Sequence, residues 1–118
     1  MLLFTVPAGP VPREADGLRI DPVNEGLSPE ERRQAPALFR ALLAGQLLFG
    51  LGEKDAKKIV SMVVRTLSAD PALAVEAVGL ADAATGQALK TVDRTALLAA
   101  AVRLGRHRLV DAVRLGET

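Results

Sequence analysis

Leu97-Leu98-Ala99-Ala100-Ala101-Val102 is the stretch on which the fold turns. Read as helix, it makes the chain largely α; read as strand, it supplies the middle of a sheet. Periodicity does not separate the two, because the run is apolar throughout and alanine has a high helix propensity. Its surroundings carry more weight. Upstream lies Leu73-Ala74-Val75-Glu76-Ala77-Val78-Gly79-Leu80, short and valine-containing, which follows Asp70-Pro71 and precedes a turn over Asp82 to Gly86, and reads as a strand. Downstream, Gly105-Arg106 introduces His107 to Leu115, apolar at 109, 110, 113 and 115. Strands and short helices both fit Thr95 to Leu104 and the closing segment, and the preceding strand and turn favour a buried strand.

The middle of the chain is helical by its signals. Ser28-Pro29-Glu30-Glu31 places an N-cap serine, a proline at the first helical position and a glutamate that can reach back to close a capping box. Leu38, Phe39, Leu42, Leu43 and Leu47 follow at three- and four-residue spacing, an apolar stripe with Glu30, Arg33 and Arg40 left for water. Pro36 predicts a kink or a split, and Gly50 and Gly52 end the segment. A second helix begins near Glu53 or Asp55, turns Ala56, Ile59, Val60, Val63 and Leu67 inward and stops before Asp70-Pro71. The expected fold is α+β: a helical hairpin packed on a small antiparallel β-sheet.

Ahead of these elements the chain divides into a short strand and proline-rich lead-in over 1–12 and a loop over 13–27, leaving 28–118 as the compact domain. A length of 118 residues suits one core. Fifteen basic against fourteen acidic residues leave +1, too little to argue for nucleic acid or an anionic membrane. The absence of cysteine excludes disulfides and thiolate chemistry, and His107 is the only histidine, so no metal site is expected. Met1 to Val6 lacks a basic leader and no run reaches spanning length; a cytoplasmic protein is expected.

Arg13-Glu14-Ala15-Asp16-Gly17-Leu18, followed at the right distance by Leu27-Ser28-Pro29-Glu30-Glu31-Arg32, resembles the pantothenate synthetases, which join pantoate to β-alanine using ATP. Val75 to Asp82, Leu97 to Gly105 and Arg108-Leu109-Val110-Asp111 are similar to that family's closing strands. The resemblance implies the fold of the family's carboxy-terminal domain, and an expectation that this chain starts too late to hold the Rossmann-like domain with its two-histidine motif and pantoate pocket. In the family, a Ser-Ser-Arg-Asn run between the two leading motifs closes over ATP. The aligned positions here are Asp21-Pro22-Val23-Asn24, with only Asn24 retained. Asp21 brings a negative charge, Pro22 lacks an N–H and Val23 offers no donor, so the loop is a degenerate phosphate contact. Arg13 and Arg19 are the remaining anion-contact candidates, with solvation as their ordinary fate.

Elsewhere the residues favour plain readings. His107 would need an orienting carboxylate such as Asp111 to act in catalysis. Ser61 and Ser68 have no base near in sequence. Lys54, Lys57 and Lys58 read as a solvated helix face, and Asp82, Asp93 and Asp111 as carboxylates near turns that bond to backbone. Gly50-Leu51-Gly52 lacks the spacing of a phosphate loop. No catalytic residue is therefore assigned. The expected function is a non-catalytic, stand-alone domain of this type acting in self-association as a homodimer, or in docking to another protein, through an edge formed by Leu2 to Val6. The alternative is a component of the ligase that uses ATP and Mg²⁺ in pantothenate synthesis.

Overall fold

The computed structural model describes residues 11–116, so the strand expected over 2 to 6 and the association edge assigned to it lie outside the described residues. Among the described residues three α-helices, α1 (Pro29–Gln34), α2 (Ala37–Gly50) and α3 (Ala56–Ser68), precede three strands, β1 (Leu73–Asp82), β2 (Ala96–Leu104) and β3 (His107–Leu115). The strands form one antiparallel sheet in the order β1-β2-β3, and α2 and α3 cover one of its faces. The fold is the expected α+β arrangement, with the Leu97–Val102 run as the central strand.

Alternation along β2 explains why. Ala96, Leu98, Ala100, Val102 and Leu104 face the helices and join the core, while Arg103 on the other face is exposed. A central strand has neighbours on both sides, so even its small residues lose their water. Gly105 has a positive φ and Arg106 does not, the glycine-first pattern of a two-residue hairpin that joins β2 to β3. In β1 the register slips between Val75 and Ala77, leaving Glu76 at a bulge.

The capping box forms as the sequence predicts: Glu31 N–H donates to Ser28 Oγ at 3.1 Å and Ser28 N–H to Glu31 Oε1 at 2.8 Å. Pro36 splits the helix rather than kinking it. Its ring nitrogen cannot donate, and the chain makes a turn at Ala35 and Pro36 before α2 begins. On α3, Ala56, Ile59, Val63 and Leu67 are buried as expected. The stripe on α2 is corrected. Leu38, Ala41, Leu42 and Gly45 are buried, but Leu43 is 38% exposed and Leu47 65%. Gly45 causes the shift: a Cβ there would meet Leu98 and Val63 at 2.7 and 2.8 Å, so backbone contact sets which face turns inward.

The 13–27 segment is more than a loop. Pro22–Gly26 is a 3-10 helix, started by Asp21 as N-cap with Pro22 at its first position. Leu18 is buried in the core, and Val23 and Leu27 pack against it. Among the described residues no helix is long and apolar enough to cross a membrane.

Candidate functional site

Residues 13–24 lie along the edge of β3 that faces away from β2, and side chains reach its backbone there. Arg19 Nε donates to Val110 O at 2.9 Å, Arg13 Nη2 to Ala112 O at 3.1 Å and Gln46 Nε2 to Arg114 O at 2.8 Å. Three successive outward carbonyls of an edge strand are thereby satisfied, which blocks pairing with another chain.

Arg13 is the centre of this arrangement. Its guanidinium forks onto Asp111, with Nη1 to Oδ2 at 2.6 Å and Nη2 to Oδ1 at 2.9 Å, reaches Gly17 O at 3.0 Å and lies over the Phe39 ring 3.9 Å from its centroid. Asp111 is 1% exposed. A solvated Arg13 is therefore corrected; Asp111 does accept from a backbone N–H, that of Ala112 at 2.7 Å, but not near a turn. Asp111 sits mid-strand and shares the inward parity of Leu109 and Val113, and a buried carboxylate there requires a cation. That parity, an acid among inward apolar residues, is the signal from which the need for a cation, though not its identity, was readable.

Two of the four aligned loop positions, Asp21 and Asn24, bond to Arg19. Asp21 accepts from Arg19 Nη2 at 2.6 Å through Oδ2 and from Val23 N–H at 2.9 Å through Oδ1. Asn24 Nδ2 donates to Arg19 O at 2.8 Å. Pro22 has no N–H, and Val23 turns its side chain to the core. Beneath them, between Arg19, Asp21, Asn24 and Val110, is a hollow of about one water molecule. Asn24 carries the only side-chain donor among positions 21–24, and it is already engaged within the segment.

At the far end of the segment, Asp16 accepts from both Arg32 nitrogens, at 2.8 and 3.2 Å, and this guanidinium holds its carboxyl below the ordinary value. Glu31 is likewise held low, first by the Ser28 N–H. His107 is half-buried and meets Glu31 at 3.8 Å, with Gly26 against its ring; Asp111, the orienting partner that the sequence offered it, is committed to Arg13. Asp82 follows the turn reading: Oδ1 accepts from Ala84 N–H at 2.7 Å, which depresses its pKa. Ser61, Ser68, Lys54, Lys57 and Lys58 are exposed on or beside α3, with Lys54 over the Phe49 ring. No group of three or more His, Asp or Glu side chains able to hold a metal occurs among the described residues.

A family model described as pantoate-beta-alanine ligase matches residues 2–114. The pantothenate synthetase of Herpetosiphon aurantiacus is 41% identical over 103 residues, covering 86% of this chain and 37% of that protein. For the Thermotoga neapolitana pantothenate synthetase the identity is 37% over 107 residues, with 91% and 38% covered. A bifunctional pantoate ligase/cytidylate kinase of Synechococcus elongatus is 38% identical over 116 residues, 95% of this chain and 22% of that one. The crystal structure of pantothenate synthetase from Thermus thermophilus superposes with a TM-score of 0.82 at 31% identity, covering 89% of this chain and 38% of that chain. The chain thus spans rather more than a third of the pantothenate synthetases that it matches.

Proposed function

We propose, from the premise that this chain belongs to the pantoate-beta-alanine ligase family, that it is a carboxy-terminal ligase module that works by protein association rather than by ATP chemistry. One observation carries the reading. Where the family's loop presents hydroxyls and a guanidinium to phosphates, Asp21 pairs with Arg19 and caps the 3-10 helix, and Val23 faces the core. A triphosphate approaching this segment meets a carboxylate, a proline and an aliphatic side chain, so like-charge repulsion adds to the loss of donors. The residues present do not fit ATP with Mg²⁺, and no catalytic step is assigned to them.

Calorimetry of the purified chain with ATP and Mg²⁺ tests this. Binding no tighter than about millimolar is expected, with no pyrophosphate released when pantoate is added. A micromolar dissociation constant, or pantoate-dependent pyrophosphate, overturns the reading. Restoring the family's run with Asp21→Ser, Pro22→Ser and Val23→Arg together is expected to give no turnover in the same chain.

The second reading is a chain that completes a pantoate–β-alanine ligase whose other parts are supplied with it. Its support is the 41% identity over 103 residues to a pantothenate synthetase. Mixing the chain with an amino-terminal ligase fragment and assaying pantothenate formation separates the two: activity that depends on this chain favours the second.

A further inference from the structure

An open groove of about 320 Å³ lies where the end of α2 meets the outer side of α3. Leu48 of α2 and Met62 of α3, both half-buried, give it an apolar floor, with exposed Ser61 beside them. Lys57 and Arg65 line it as well, exposed and eight residues apart on one helix, so about 12 Å separates them along the axis. Other charges nearby are already engaged. Glu53 meets Lys58 at 3.9 Å and accepts the Asp55 N–H at 3.1 Å, Asp55 bonds to the backbone N–H of Lys57, and Lys54 lies over the Phe49 ring. Neither the Lys57 ammonium nor the Arg65 guanidinium has an ion pair or hydrogen bond among the described residues.

An apolar floor between two cations without partners is complementary to a ligand of the opposite order: carboxylate, apolar group, carboxylate. An extended peptide supplies that order at this length. Its residues i, i+2 and i+4 point to one side, and i to i+4 spans about 13 Å. We infer that the groove takes an extended acidic segment of the pattern Glu-x-Leu-x-Glu, its carboxylates on Lys57 and Arg65 and its leucine on Leu48 and Met62. A concave groove receives a side chain, whereas a bilayer is flat, and a net charge of +1 gives little pull toward anionic lipid. Two solvent-facing ion pairs and one leucine make a weak site, with a dissociation constant on the order of 100 µM.

This inference rests on the association reading and gives the partner a chemistry. Fluorescence anisotropy tests it with the full chain and a labelled peptide, Ser-Glu-Thr-Leu-Thr-Glu-Ser, and saturable binding on the order of 100 µM is expected. Exchanging both glutamates of the peptide for glutamine is expected to weaken binding at least about fivefold, and so is Lys57→Glu or Arg65→Glu in the chain. Arg33→Glu makes the same change in net charge at an exposed position of α1 and is expected to bind as the wild type does. If circular dichroism shows that a reversed variant does not fold, Lys57→Gln or Arg65→Gln takes its place. No saturable binding up to about 1 mM, or equal binding by the wild type and both groove variants, overturns this inference and leaves the association reading to its own test with ATP. Sedimentation with phosphatidylserine vesicles that is lost in the groove variants, when no peptide binds, overturns the peptide in favour of a lipid surface. Peptide binding as expected together with a micromolar constant for ATP overturns the non-catalytic reading alone, and the groove stands.

Discussion

Arg13 and Asp111, 98 residues apart, join through two hydrogen bonds of 2.6 and 2.9 Å, and this pair ties the leading segment to the middle of β3. Asp111 is buried and accepts both bonds; Arg13 is only partly covered, with 18% of its side chain exposed. Desolvation of the carboxylate is offset only while the guanidinium is present.

Removal of one partner is therefore expected to be worse than removal of both. Arg13→Met strands a buried carboxylate and is expected to lower unfolding free energy by about 3 kcal/mol. Arg13→Met with Asp111→Leu is expected to recover more than half of that, since no charge is then left without a partner. Urea denaturation of the single and double variants measures both. Equal losses in the two would show that the pair's burial cost had been misjudged.

Gly17 has a φ of 95° and lies against the Phe39 ring, which a Cβ at this position would enter. Gly17→Ala is expected to cost about 2 kcal/mol, from backbone strain and from displacement of the ring that also stacks on Arg13. Gly52 has a φ of 111° but open space around it, so Gly52→Ala carries only the backbone strain and serves as the control. Thermal melting of the two variants separates the contributions.

The acid limb of stability is expected to weaken through Glu76. Arg108 Nε donates to one of its oxygens at 2.6 Å and Arg103 Nε to the other at 2.8 Å, and the Arg108 bond, then the Arg103 charge, hold its carboxyl below the ordinary value of 4.5. A carboxylate depressed in the folded state stabilises fully above its unfolded pKa and loses that contribution as pH falls through the folded value. The melting-temperature difference between wild type and Glu76→Gln should then be largest near neutral pH and shrink below the ordinary value. A difference that does not change with pH would assign Glu76 a packing role only.

The capping box gives a smaller, cleaner effect. Ser28→Ala removes the acceptor for Glu31 N–H and is expected to cost about 1 kcal/mol, while Ser28→Asp retains the cap and most of the stability. Equal destabilisation by both changes would point away from capping.

Local signals were enough for much of the fold. Ser28 to Glu31 announces a helix start because every group in a capping box is within three residues, and Pro36 announces a break because its missing N–H acts on its own turn. The strands were legible less directly: β2 carried no periodicity of its own, and its neighbours had to supply the assignment. Of the candidate site, the sequence showed that Asp21, Pro22 and Val23 offer no side-chain donor, since donor chemistry belongs to the residues themselves.

Other features depend on which parts of the chain meet. The partner of Arg13 lies 98 residues away, so nothing near Arg13 in sequence shows whether its charge reaches water or a buried Asp111. The facing of α2 depends on Gly45 meeting Leu98 and Val63, a close approach across three elements that leaves Leu47 outside although its spacing reads as core. Propensity, capping and donor chemistry act over a few bonds and are written in the residue order. Burial and ion pairing act through space, and the tertiary structure decides them by choosing which surfaces come together.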